Sequence, residues 1–263
     1  MTQAPPERVG FFTDTSVCIG CKACEVACKE WNDVPEDGLN FLTSSYDHTG
    51  TLGADTWRHV AFIEQQVAAP DDGKEGVRWL MSSDVCKHCT SAACLDVCPT
   101  GALFRTEFGT VVVQEDVCNG CGYCIPACPF GVIDRREDDG RAWKCTMCYD
   151  RLRGGFEPAC AQACPTDSIQ FGPLDELKTR AAERVETLHE RGVADARLYG
   201  ADEHDGVDGF GAFFLLLDEP ETYGLPPDPV VTTRDLPRLW RWAAVAATTF
   251  VGAVAVSLLG GRR

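Results

Sequence analysis

Sixteen cysteines fall into four groups of four along a chain of 263 residues. Cys18, Cys21, Cys24 and Cys28 read C-x2-C-x2-C-x3-C, and Cys118, Cys121, Cys124 and Cys128 repeat that spacing with Pro129 behind it. Cys86, Cys89, Cys94 and Cys98 read C-x2-C-x4-C-x3-C-P, while Cys145, Cys148, Cys160 and Cys164 read C-x2-C-x11-C-x3-C-P. A cubane iron–sulfur cluster needs thiolates pointing inward around one compact object, and the tight C-x2-C-x2-C loop delivers three of them from one side. In the bacterial form of this run the fourth cysteine ligates the other cluster of a pair, because the residues before it begin a helix that leads away. Gly20, Gly120 and Gly122 let the backbone turn closely and aim amides at sulfur. The prolines after Cys98, Cys128 and Cys164 fix φ and remove a competing donor. Four complete sets predict four [4Fe–4S] clusters, since a missing ligand would have pointed to a [3Fe–4S] site.

Two plainer uses of cysteine fit less well. Disulfides need relaxed geometry in an exported protein, whereas clustered near neighbours invite strained bridges. Structural zinc uses C-x2-C pairs, but a third cysteine two residues further on is surplus to a zinc knuckle. No acid/base pair, nucleophile elbow or phosphate loop stands out, so the chain is expected to carry electrons and not to make or break a substrate bond. A formal net charge of −16 excludes the basic stripe that nucleic acid requires. At 44% hydrophobic residues the chain is long enough and apolar enough for a real core without staples.

The elements that must hold these sets can be sketched from pattern alone. Sets two and three are joined by only 19 residues, which predicts one two-cluster unit with a hairpin between its motifs. Sets one and four must then pair around it. The expected architecture is α+β: two interleaved bacterial-ferredoxin-like units, the second inserted in the first, and one C-terminal transmembrane helix. Residues 1–43 and 142–180 make the first unit, 83–141 the second, and 44–82 a hairpin-like insertion. Residues 181–238 are read as a C-terminal helix and linker, and 239–261 as the membrane span. From Leu174, apolar residues at Leu177, Ala181, Val185 and Leu188 mark a surface helix stopped by Gly192. GFGAFFLLLDEP is a run of strand length, and PETYGLPPDP reads as a Pro-rich linker with no helix in it.

Residues 242–261 carry no charge, and as a helix they span roughly 30 Å. Trp240 and Trp242 suit an interfacial belt, with Arg238 and Arg241 before the segment and Arg262 and Arg263 after it. A buried core helix is the competing reading. The opening MTQAPPERVGFFTDTS shows no export signal, so the chain is expected to stay in the cytoplasm or to leave with a partner.

The segments CIGCKACEVACKEWND, CNGCGYCIPACPFGV, KCTMCYDR and EPACAQACPTDSIQFG closely resemble the iron–sulfur (beta) subunits of membrane-bound respiratory formate dehydrogenases. These belong to the four-cluster ferredoxin-like subunits of the molybdopterin oxidoreductase group. The resemblance continues through LKTRAAERVETLHERG, YGLPPDP and the C-terminal apolar segment. It implies that Cys18, Cys21, Cys24 and Cys164 hold one cluster, and Cys145, Cys148, Cys160 and Cys28 a second. Cys86, Cys89, Cys94 and Cys128 would hold a third, and Cys118, Cys121, Cys124 and Cys98 a fourth. It also implies a catalytic subunit with molybdenum or tungsten on a pterin cofactor, and a membrane cytochrome b passing electrons to quinone. The protein would then sit at the cytoplasmic (inner) membrane, with its body on the extracytoplasmic face. Two other readings stand beside this one: an electron-transfer subunit of a sulfur-compound reductase or hydrogenase, and a free membrane-anchored ferredoxin.

Several side chains near the motifs carry a plainer expectation. His88 is read as a solvated loop histidine, and Trp31, Trp57, Trp79 and Trp143 as packing and not electron relays. Lys22, Lys87 and Lys144 either offset cluster charge or serve the surface.

Overall fold

The computed structural model describes residues 7–38, 41–42, 46–68 and 75–260. Strand β1 (Val9–Asp14) runs through a 3-10 turn into the first cysteine loop and helix α1 (Ala23–Asn32). A long antiparallel hairpin follows, β2 (Arg58–Ala68) against β3 (Glu75–Val85), in register from Arg58↔Val85 to Ala68↔Glu75. The tip of this hairpin lies outside the described residues. Beyond it come the short helix α2 (Ala93–Asp96), the paired strands β4 (Leu103–Arg105) and β5 (Val111–Val113), and the short helix α3 (Cys124–Ala127). A second small pair, β6 (Asp134–Arg135) with β7 (Ala142–Trp143), leads to helices α4 (Tyr149–Arg153) and α5 (Ala159–Gln162). Strand β8 (Ile169–Pro173) then feeds the 17-residue helix α6 (Leu174–Glu190), followed by β9 (Arg197–Tyr199) and β10 (Ala212–Leu216).

These strands assemble into a four-stranded sheet of order β8-β1-β10-β9. Strand β1 is antiparallel to β8 and parallel to β10, with Phe12 opposite Phe213. Alternation along β1 sends neighbouring residues to opposite faces. Phe11 faces a core that contains Cys24, Cys28, Cys145 and Cys160, whereas Phe12 faces one built by Leu174, Leu177, Ala181 and Leu188 of α6. The sheet thus separates a sulfur-lined core from an ordinary apolar one, with Phe12 stacked on Phe213 at 5.3 Å.

Two expectations need correction. The tail after α6 is more than a linker: β9 and β10 complete the central sheet, and residues 212–216 are all fully buried. PETYGLPPDP does contain a helical turn, a 3-10 segment at Pro220–Tyr223. Pro220 presets φ at its first position, Gly224 at φ 71° ends it, and the Leu217 N–H donates to the Tyr223 hydroxyl at 3.1 Å.

Residues Met1–Val231 form one compact unit and Thr232–Arg263 another. The second is dominated by α7 (Leu236–Gly260), which contains an 18-residue window of mean hydropathy 1.9 that is unburied. An unburied apolar helix of this length is a candidate membrane span. Twenty-four residues at 1.5 Å each span about 36 Å, enough for a bilayer core. Thr248 and Thr249 donate to carbonyls three and four residues back, which satisfies both hydroxyls within the helix. Arg262 and Arg263 lie outside the described residues.

Candidate iron–sulfur sites

In all four sets the residue just before the second cysteine is in the left-handed region: Gly20 at φ 65°, His88 at 43°, Gly120 at 72° and Met147 at 57°. This reversal turns each pair of sulfurs toward a common centre. At two of these positions glycine is required twice over. A Cβ on Gly20 would lie 2.7 Å from the Phe62 ring, and one on Gly120 would lie 2.4 Å from the Gly140 carbonyl oxygen. His88 and Met147 make the same turn against the preference of an ordinary side chain.

None of the sixteen cysteines is joined in a disulfide. Cys18, Cys21, Cys24 and Cys164 line one cavity. Cys86, Cys89, Cys94 and Cys128 line another, together with Lys87, His88 and Lys144. Burial pushes the Cys28 thiol well above its usual range, and the sulfurs of Cys145, Cys160 and Cys148 push it further. Burial likewise raises Cys124 to about 11, with Cys118, Cys121 and Cys98 adding to the rise. The packing that produces this is α1, bearing Cys24 and Cys28, against α5, bearing Cys160, and α2, bearing Cys94, against α3, bearing Cys124.

Neighbouring sets also feel one another. Beyond burial, Cys160 raises Cys24, Cys86 raises Cys145, and Cys124 raises Cys94. The sets that the resemblance implies are numbered one to four as Cys18/Cys21/Cys24/Cys164, Cys28/Cys145/Cys148/Cys160, Cys86/Cys89/Cys94/Cys128 and Cys98/Cys118/Cys121/Cys124, and the first and third of them each line a cavity. Cys21 and Cys121, in the first and fourth sets, are exposed, whereas Cys28, Cys145, Cys148 and Cys160 are buried.

The donor set fits a polynuclear cluster. Among the described residues no group of three Cys, His, Asp or Glu side chains converges tightly enough for a single metal ion. The sulfurs of two groups instead surround cavities, as a cubane requires, and donors are aimed at sulfur in the others. The Met147 N–H donates to Cys145 Sγ at 3.3 Å and the Ala142 N–H to Cys118 Sγ at 3.4 Å. Asn32 Nδ2 reaches Cys148 Sγ at 3.6 Å and Cys28 Sγ at 3.8 Å. Thr100 and Thr166, each two residues past a Cys-Pro cysteine, lie 3.7 and 3.8 Å from the sulfurs of Cys98 and Cys164. Burial raises the Cys145 and Cys94 thiols to about 12, and a cluster takes the sulfur as thiolate.

The side chains beside the motifs depart from expectation. His88 is not solvated: it is 1% exposed, its Nδ1 accepts the Val111 N–H at 3.1 Å, and its Nε2 has no protein partner. Burial holds its imidazole well below the usual pKa, and Lys144 adds to this, so it stays neutral. Lys87 and Lys144 are buried as well, which removes the surface role for both. Lys87 is paired with Asp84 and lies over the rings of Phe130 and Phe214, whereas Lys144 bonds only to the carbonyls of Val111 and Cys145. Lys22 does remain at the surface, paired with Glu25 at 3.0 Å. Trp57 packs in the core against Trp143, while Trp31 and Trp79 are exposed. Sequence reasoning missed Arg58, a fully buried guanidinium that donates to Cys160 Sγ at 3.2 Å.

Residues 17–102 and residues 77–174 each match a 4Fe-4S dicluster domain. The formate dehydrogenase-O iron–sulfur subunit of Escherichia coli (strain K12) is 38% identical over 258 residues, covering 96% of this chain and 82% of that protein. The formate dehydrogenase iron–sulfur subunit of Haemophilus influenzae is 40% identical over 240 residues, covering 88% and 74%. A subunit of the anaerobic dimethyl sulfoxide reductase of Escherichia coli (strain K12) is 40% identical over 176 residues, covering 66% of this chain and 77% of that protein.

Proposed function

This protein belongs to the family of formate dehydrogenase iron–sulfur subunits, and on that premise we propose that it relays electrons between a formate-oxidising catalytic subunit and the membrane. Its role is electron transfer, and two dicluster domains give it four [4Fe–4S] clusters. Each cluster supplies a one-electron redox centre when bound. In this reading Cys18, Cys21, Cys24 and Cys164 hold the first cluster and Cys28, Cys145, Cys148 and Cys160 the second. Cys86, Cys89, Cys94 and Cys128 hold the third, and Cys98, Cys118, Cys121 and Cys124 the fourth. Each of the two units is completed by a cysteine that follows the other motif of its pair, and the second unit is nested within the first.

The observation that carries the reading is the gradation of exposure among the sulfurs: Cys28, Cys145, Cys148 and Cys160 are all buried, whereas Cys21 and Cys121 are exposed. A wire needs that form: insulated inner stations and two surfaces where partners exchange electrons. The protein's own residues do the rest. Asn32, Met147 and Ala142 direct N–H groups at sulfur, and the apolar core excludes water from the inner sets. One open end would face a molybdenum- or tungsten-pterin subunit. The other would face a membrane cytochrome b that reduces quinone. Helix α7 crosses the cytoplasmic membrane once, with the body on its outer face.

The test is to purify the full-length protein anaerobically, in detergent, by a tag. The expected preparation holds about sixteen irons per chain and a large subunit carrying molybdenum or tungsten. A chain that purifies alone with its clusters intact would instead be a free anchored ferredoxin.

A further inference from the structure

Arg58 lies on β2, in the hairpin between the first two cysteine sets, and its side chain is 2% exposed. Burying a guanidinium is costly unless negative charge compensates it. Among the described residues Arg58 has no carboxylate partner. Its Nη1 donates to the Ser83 carbonyl at 3.2 Å and to Ser83 Oγ at 3.4 Å, its Nη2 donates to Cys160 Sγ at 3.2 Å, and its Nε has no partner. The plane lies over the Phe11 ring at 4.8 Å. Lys87, another buried cation, is paired with Asp84 and so differs in kind.

The charge that faces Arg58 is therefore sulfur, and it comes from two sets. Its Nη2 touches Cys160 of the second, and Ser83 Oγ, which it also reaches, lies 3.3 Å from Cys24 Sγ of the first. An arginine stays protonated throughout the working pH range, so the charge is fixed.

We infer that Arg58 is a positioning residue for electron transfer: its fixed charge, buried between the first and second sulfur sets, raises the reduction potentials of both clusters held there. Reduction adds one negative charge to a cluster, and a cation in a low-dielectric core favours the more negative state. The same cation lessens the penalty for reducing two adjacent clusters together. The inference rests on the ligand sets proposed above, and the experiment separates the two.

The native complex, tagged on this subunit, is poised at a series of potentials and read by electron paramagnetic resonance, with iron counted in the same samples. Spectra of Cys21→Ala and Cys148→Ala identify the first and second clusters. In Arg58→Gln, iron content holds while both potentials fall. At the original midpoints the oxidised-to-reduced ratio rises at least tenfold, which is about 59 mV for one electron. Arg58→Lys, which keeps the charge, moves the ratio less than threefold, and the third and fourth clusters hold still. If Arg58→Gln loses iron, Arg58→Met, which keeps much of the side chain's bulk without the charge, gives the same readout. Unchanged potentials in a loaded variant, or equal shifts in all four clusters, overturn the inference and leave the ligand sets standing. Failure of the cysteine variants to remove separate signals overturns those sets instead.

Discussion

Cys164→Ala separates crossed from uncrossed ligation more sharply than any other single change. Cys160 and Cys164 belong to one C-x3-C-P run, and a reading by proximity in sequence would give both to one cluster. In space they part. Cys160 sits inside α5, 4% exposed, beside the sulfurs of Cys28, Cys145 and Cys148, whereas Cys164 lies past the end of α5 and lines the cavity of Cys18, Cys21 and Cys24. Cys164 is only partly buried, so removing its sulfur costs the fold about 1 kcal/mol or less. The damage must therefore appear in a cluster and not in folding. Iron should fall from about sixteen per chain to about fifteen if a [3Fe–4S] form survives, or to about twelve if the cluster is lost. Resonance spectra of the reduced complex should lose the component that Cys21→Ala also loses, while the component lost in Cys148→Ala stays. If Cys164→Ala instead removed the Cys148-dependent signal alone, crossed ligation would be wrong.

Other changes test the elements around the sets. Gly120→Ala adds a clash with the Gly140 carbonyl at 2.4 Å to a left-handed residue, whereas Gly122→Ala at φ 76° meets nothing nearer than Ile125 at 3.7 Å. Both variants bear the left-handed cost of about 1–2 kcal/mol. Gly120→Ala should lose the fourth cluster at the lower temperature on gentle heating, and equal losses would show that the contact does not matter. A protein truncated after Val231 lacks α7 and should leave the membrane in an alkaline carbonate wash that the full-length form withstands, whereas retention of both would place the anchor elsewhere.

The cysteine spacing made the number and kind of clusters legible, because each motif is a local loop whose ligands lie within a few residues of one another. The left-handed turns were half legible. Gly20 and Gly120 advertise them, but His88 and Met147 make the same turn with nothing in their residue type to say so. His88 was misread because a histidine beside a metal-binding loop is ordinarily wet, and what dries it is β5, whose Val111 N–H it accepts. Arg58 was invisible for a different reason, since its sulfur partner lies 102 positions away and comes near only once β2 and α5 both pack against α1. Strand β10 was legible as an apolar run, but its place beside β1 was not. A parallel neighbour some two hundred residues distant leaves no periodic mark in either strand.

The most direct test of the central claim is electron paramagnetic resonance of the anaerobically purified complex before and after formate is added with no other reductant. Reduced [4Fe–4S] signals that appear with formate, and that disappear when a quinone analogue is then supplied, connect this protein to formate oxidation at one end and to the membrane at the other. Clusters that reduce with dithionite but ignore formate would leave the iron–sulfur wire intact and contradict its assignment to formate.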